Sequence, residues 1–328
     1  MVAHCGFPNR LPSPRTQSII VSEMMNRLDK LLSGIDRTAR ILEIGASHNP
    51  AAPKAEGWQT YILDYAPQEE LKRIYQAQGV TSDKIEPVDF VWIGGPIHET
   101  IPTQLHGTFR ACIVSHVLEH LPNPILFFQS VDRLLAQDGV ISFALPDKRC
   151  CFDFFRPFTL SPAWIEAYES KSQRHSHRAL FEHFAYQVTN GDRVMWDQWA
   201  GVKQLNLRDD LAHAKSLADG AGLSETAPYM DCHAWCFTPA SFKLLILELG
   251  MLGLINFHVA QIYPTDGGEF IGSLARGPDL QATQQLRIDL LKATVAELGE
   301  QKAQMQKRYK FKALPHRAVR KLARLRSH

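Results

Sequence analysis

The stretch Arg40–Asp64, RILEIGASHNPAAPKAEGWQTYILD, decides the fold. It reads as a strand, a turn, a short helix and a second strand. Ile41, Leu42 and Ile44 form a short apolar run that stops at Gly45-Ala46-Ser47. A buried parallel strand that breaks into small residues lets backbone approach a ligand closely. Further on, Tyr61-Ile62-Leu63 makes a second strand that ends on an acid, Asp64. In doubly wound α/β folds this is the arrangement of a nucleotide site, with the acid on the ribose hydroxyls. Gly45 is the one glycine of the usual triplet; Ser47 and Asn49 stand where glycines are common. An ordinary strand-turn-strand therefore stays open at this point.

The chain around this stretch has 328 residues, 45% of them hydrophobic and 21% charged. That is one large domain with additions, or two small ones. No apolar run is long enough for a membrane span. The opening MVAHCGFPNRLPSPR lacks the continuous apolar core of a signal peptide. The six Cys show no paired spacing, so a reducing cytoplasm is the simpler expectation. Net charge is +2; ten Lys or Arg and no acids lie in 301–328, which leaves −8 on the rest. A basic tail on a mildly acidic body points to an anionic partner, membrane or nucleic acid.

Upstream of Arg40, residues 1–19 read as irregular, and Ile20 to Leu32 has helical spacing. Downstream, Gln68 to Gln78 reads as a helix and Val88 to Trp92 as a third strand. Phe109 to Ser115 is a fourth strand that runs into His116-Val-Leu-Glu119-His120. A helix follows, with Asn123 as cap, Pro124 at its first position and Gly139 past its end. Val140 to Leu145 is a fifth strand. Asp147 to about Cys232 is a long insertion rich in aromatics, His and Arg. Thr238-Pro239 opens a helix over Ala240 to Leu249. Leu254 to Ile262 and Glu269 to Ala275 close the domain as an antiparallel pair, because the link between them is short. Alternating strands and helices predict a mostly parallel sheet covered on both faces.

Taken together, ILEIGAS, YILDY, IVSHVLEHLPNP, the Gly139 strand and the closing hairpin resemble the class I S-adenosylmethionine-dependent methyltransferases. The resemblance spans roughly residues 36–276, with 1–35 as an N-terminal segment and helix and 280–328 as a basic helical tail. It implies a Rossmann-like, mostly parallel seven-stranded sheet with a terminal antiparallel hairpin and a substrate-side insertion at 147–232. IGASHNP, VDFVW, SHVLEH and LPDKRCCFDFFRP further resemble bacterial methyltransferases found with glycosyltransferases and surface-polysaccharide enzymes. The resemblance implies S-adenosylmethionine as cofactor. Gly45, Ala46 and Ser47 would turn against its methionine part, and Glu43 would orient that turn and the amino group. Asp64 would take the ribose hydroxyls, Tyr65 would flank the adenine, and Trp92 would pack near it. Ser115 and His116 would line the opening from cofactor to acceptor.

Methyl transfer to a hydroxyl needs the oxygen placed in line and its proton removed. An imidazole suits that proton at neutral pH, and His120 and His116 are the candidates by position. Packing under the loop is the plain alternative for His120. His116-Val-Leu-Glu119-His120 also matches the H-x-x-E-H pattern of a zinc-peptidase family, but that pattern needs a helix and here a strand precedes it. Some O-methyltransferases and RNA 3′-end methyltransferases hold a divalent ion through a similar E-x-x-E-H run; His116 replaces the first acid, and no metal is expected. Asp147, Arg149, Asp153 and Arg156 leave the fifth strand at the sheet's carboxyl edge, placed to bind a glycan or other small polar acceptor. Phe152, Phe154 and Phe155 read mainly as packing, and Cys150-Cys151 carries no metal spacing. His175, His177, Arg178, Glu182 and His183 read as a solvated, acceptor-facing helix. Trp196, Trp199 and Trp235 fit either core or sugar stacking.

In the tail, Leu286, Leu290, Leu291, Thr294, Val295 and Leu298 form an apolar stripe that docks on the body or on a second copy as a homodimer. Leu314, Val319, Leu322 and Leu325 among Arg and Lys make a basic amphipathic helix suited to an anionic membrane. The resulting expectation is an enzyme of glycan O-methylation, cytoplasmic and peripheral at the inner membrane face. RNA methylation, or a degenerate binding domain in a polysaccharide-assembly complex, are the alternatives.

Overall fold

A computed structural model of the chain describes residues 25–197, 202, 204–221 and 229–312, with backbone alone for 304–312. The opening stretch folds as β1 (Ile41–Ile44), a single 3-10 turn at Lys54–Glu56 where a short helix is expected, and β2 (Thr60–Asp64). β3 is only Phe90–Val91, shorter than expected. The Asp89 carboxylate takes the Ile62 N–H at 2.7 Å and Lys54 Nζ, so a side chain replaces a ladder bond at that edge. β4 (Phe109–Ser115), β5 (Leu135–Pro146), β8 (Phe257–Ile262) and β9 (Glu269–Arg276) complete the main sheet. Its order is β3-β2-β1-β4-β5-β9-β8, parallel through β5 and antiparallel at β5–β9 and β9–β8.

Both faces of the sheet are covered, which explains the unbroken apolar runs. Leu42, Ile44, Cys112 and Val114 pack into one core cluster; Ile41, Ala111 and Ile113 pack into another. The covering helices include α1 (Arg27–Leu31), α2 (Gln68–Ala77), α3 (Ile97–Thr100) and α4 (Pro124–Leu134). Asn123 caps α4 by accepting from Leu126 N, with Pro124 in the first turn. Gly139 is not the stop of that helix. β5 starts at once on Leu135, and Gly139 sits inside it at a register shift between Phe109 and Ala111. A Cβ there would lie 3.1 Å from the Phe109 carbonyl and 2.9 Å from Leu135 Cβ, so the bulge needs glycine.

The insertion has more regular structure than its sequence pattern implies. It holds α5 (Ser161–Glu169), α6 (His177–Tyr186), a small antiparallel pair β6 (Val188–Asn190) and β7 (Leu205–Leu207), and α7 (Leu211–Gly220). α8 (Pro239–Met251) is capped by Thr238 and returns the chain to the sheet. The last helix, α9 (Gln284–Lys312), straps α8 to the insertion. Arg287 pairs with Glu248, Glu297 accepts from Ala240 N, and Gln301 donates to the Phe154 carbonyl at 3.0 Å. The helix thus docks on the body, with Thr294 of the stripe buried, Leu286, Leu290 and Leu298 half-buried, and Leu291 and Val295 facing outward. Leu314, Val319, Leu322 and Leu325, like Trp199, lie outside the described residues. Cys112, Cys150, Cys151, Cys232 and Cys236 are buried and unpaired. Among the described residues no helix is long and apolar enough to cross a membrane.

Candidate active site

The turn after β1 is held by side chains from the two strands beside it. Gly45 has φ +67° and Ser47 φ +50°, so the backbone takes the left-handed conformation at Ser47 without a glycine. Asp64 stabilises that choice: its Oδ2 accepts from Ser47 N at 3.0 Å, and its Oδ1 accepts from Tyr65 N at 2.8 Å. Asp64 is buried, and burial raises its pKa against those hydrogen bonds. Oδ2 also accepts from the Ser47 hydroxyl at 3.4 Å, while Oδ1 keeps a second lone pair for a ribose hydroxyl. Val117 Cγ2 sits 3.0 Å from where a Cβ on Gly45 would be, so the turn is closed to any side chain there. These features fit a cofactor lying along backbone at this turn. Ala46 is buried beside it, Tyr65 is exposed, and half-buried Trp92 ties its indole N–H to the Gly95 carbonyl.

Glu43 does something different from orienting an amino group. Its two oxygens accept from Ala51 N at 2.6 Å and Ala52 N at 3.1 Å, fixing the segment after the turn. Burial pushes its pKa up to about 7 although both N–H groups favour the anion.

The second half of the site grows from the end of β4. Ser115 Oγ accepts from Arg27, which also forks onto Glu269 at 2.6 Å and 3.2 Å. His116, at φ +54°, swings its ring between two carboxylates. Its Nε2 is 2.7 Å from Glu269 Oε2 and its Nδ1 is 3.2 Å from Glu119 Oε1. Burial alone would depress this imidazole, but the closely placed Glu119 and Glu269 carboxylates outweigh it and raise the pKa to about 9. His116 therefore carries its proton at neutral pH and is a cationic bridge, not a free base.

His120 ends a 3-10 turn, Leu118–His120, and keeps its side chain partly open to solvent. Its Nδ1 lies 3.0 Å and 2.9 Å from the two oxygens of Asp231. Burial lowers its proton affinity, but the Asp231 hydrogen bond and the Glu119 charge prevail and the pKa is raised. The ring of His233 meets it edge to face with centroids 4.6 Å apart. Asp231, His233, Glu269 and Arg27 were not singled out from the sequence. His120 and Asp231 are 111 residues apart, and only the return of the chain from the insertion brings them together.

The four residues expected to meet the acceptor are buried and spent on one another. Asp147 binds the Arg149 guanidinium at 2.6–3.2 Å and the Thr265 hydroxyl at 2.6 Å. Asp153 binds Arg156 at 2.7 Å and His233 Nδ1 at 2.6 Å, while Arg156 donates to the His233 carbonyl. These pairs anchor the insertion to the sheet edge; they present no open face. His175 and His183 are buried too, against the solvated helix expected, whereas His177 and Arg178 pair outward with Asp219 and Glu182. Burial pulls His183 down to about 3, so it is neutral. Phe154 and Trp196 share a small core cluster, and the Trp235 indole donates to the Leu121 carbonyl, so both Trp are packing residues.

A family model described as a methyltransferase domain matches residues 17–200, over half of the chain. No curated protein matches. Among solved structures, the Burkholderia thailandensis 1,6-didemethyltoxoflavin-N1-methyltransferase, crystallised with S-adenosylhomocysteine, is 11% identical with a TM-score of 0.37, covering 83% of this chain and 94% of its own. The PH0226 protein of Pyrococcus horikoshii OT3 is 12% identical at TM-score 0.37, covering 81% and 92%. A Rhodobacter sphaeroides chain named for the Zn-dependent alcohol dehydrogenases is 13% identical at TM-score 0.40, covering 76% and 89%. The assignment rests on none of these three. It rests on the family match, the sheet order and the turn held between Gly45 and Asp64. The chain belongs to the methyltransferase domain family and is an S-adenosylmethionine-dependent methyltransferase.

Proposed function

We propose that this enzyme O-methylates a glycan or glycan precursor in surface-polysaccharide biosynthesis. The observation that carries the hydroxyl chemistry is the His120–Asp231 pair beside the end of β4. When bound, the cofactor supplies an electrophilic methyl on a sulfonium. The chain's task is to hold the acceptor oxygen in line about 3 Å from that methyl and to dispose of its proton. His120, oriented by Asp231 and partly open, is the group placed for that proton. Asp231 fixes the ring's tautomer and steadies its charge.

The glycan reading is supported by the four stretches that resemble polysaccharide-associated methyltransferases. The basic tail supports work at an anionic surface, the inner membrane face, with the body in the cytoplasm. Incubating the enzyme with methyl-labelled cofactor, a cell-surface glycan fraction and total RNA tests the acceptor. Base-stable label in the glycan fraction is expected. Label confined to RNA, or none in either, would contradict the reading.

A further inference from the structure

We propose that Glu119, His120 and His233 hold a divalent transition-metal ion. Each offers one donor atom, and the three donors lie within 4.8 Å of one another. Glu119 is fully buried, yet neither of its oxygens has a hydrogen bond among the described residues. His116 Nδ1 comes to 3.2 Å of Oε1 without the alignment of a hydrogen bond. The His116 cation offsets the Glu119 charge from one side only, and both oxygens keep lone pairs free for an ion or water.

The imidazoles are prepared in the manner of metal ligands. Metal-binding His commonly gives its other ring nitrogen to a carboxylate, which fixes the tautomer and raises ligand basicity. Here His120 Nδ1 is engaged by Asp231 and His233 Nδ1 by Asp153 at 2.6 Å. Nε2 of each ring is the nitrogen left, and neither has a hydrogen bond among the described residues. The backbone fixes the geometry. The Glu119 carbonyl accepts from Ala234 N at 2.8 Å and Trp235 N at 3.3 Å, which pins the His233 loop to the Glu119 turn. Arg156 holds the His233 carbonyl at 2.7 Å.

Two imidazoles and one carboxylate suit zinc, iron, manganese or cobalt better than calcium or magnesium, which prefer all-oxygen shells. Three protein ligands leave coordination positions open, as catalytic sites require. This deepens the hydroxyl reading and rests on it for its purpose: with His120 Nε2 on the ion, His120 would act by holding that ion, which would lower the pKa of the acceptor oxygen, and the proton would pass to water in place of His120. Binding itself does not depend on that reading.

The test uses full-length protein stripped with a chelator and titrated with cobalt(II) chloride, with no cofactor or acceptor present. One equivalent should bind, with visible ligand-field bands and a raised Tm. His233→Ala and Glu119→Gln should each weaken binding at least 100-fold. Should either fail to fold, Asp231→Asn alters a partly exposed backing group and should weaken binding by about 10–100-fold. Absence of cobalt binding by the wild-type chain at 1 mM overturns the proposal. So does unchanged affinity in the variants, which would leave the three residues a proton-sharing cluster.

Discussion

At the residue scale, the site depends on side chains whose tasks differ from what their positions imply. Glu43 sits where an orienter of the cofactor turn is expected, yet it clasps Ala51 and Ala52. That contact depends on how the chain folds back after Pro50, which no local pattern encodes. Its titration gives a test. The folded-state pKa of about 7 lies above the ordinary 4.5. Between those values the native state holds a proton that the unfolded chain has released. Stability from this group is therefore full below pH 4.5 and falls as pH rises toward 7, by about 3 kcal/mol in all. Glu43→Gln cannot titrate, so the wild-type stability minus the variant's should decline over that window in urea unfolding. A difference that stays flat from pH 4.5 to 8 contradicts it. His120, by contrast, was legible as a candidate from SHVLEH, but its partners Asp231 and His233 were not. Whether it takes the proton directly or positions an ion, His120→Ala should slow turnover about 10²–10⁴-fold. Cofactor affinity should barely change. Near-normal turnover across pH 6–8 would reduce His120 to packing.

At the element scale, the strands and capped helices of the domain were readable because their signals are local. FRACIVS is β4 residue for residue, and Asn123-Pro124 starts α4. Gly139 was misread because a glycine that relieves a bulge looks the same in sequence as one that ends a helix. The insertion was opaque for another reason: buried charge pairs anchor it beside two small apolar clusters, and neither leaves a hydrophobic period along its length. Asp153 is the central one, held well below the usual carboxylate range because Arg156 and His233 outweigh its burial. Asp153→Asn removes the charge and strands a buried guanidinium. The expected cost is about 3–5 kcal/mol. Urea unfolding should show it as a lower midpoint, together with loss of His233 orientation. A cost under 1 kcal/mol would mean that solvent reaches the pair. α9 extends the same anchoring from outside, through Gln301 on Phe154 and Glu300 on Arg149.

At the scale of the whole molecule, a doubly wound sheet carries a roof of imidazoles, carboxylates and guanidiniums over its carboxyl edge, and a strap of helix leads away into a basic tail. The tail's charge predicts weak, salt-sensitive binding to anionic vesicles, each Lys or Arg near the surface contributing about 1 kcal/mol before screening. Deleting 313–328, which removes five of the ten basic residues and spares the α9 contacts, should sharply reduce sedimentation with vesicles at low salt and leave the catalytic body intact. Full-length protein that stays in the supernatant at low and moderate salt would assign the tail another role, with nucleic acid next to test. The central claim is the cofactor site at the Gly45–Asp64 turn. Its most direct measurement is a calorimetric titration of the full-length protein with S-adenosylmethionine, repeated on Asp64→Ala. The account predicts one-to-one binding by the wild-type chain. In the folded variant, affinity should fall at least tenfold, since hydrogen bonds to a charged group are worth about 1.5–3 kcal/mol each. No binding at millimolar cofactor, or equal affinity in the variant, would contradict it.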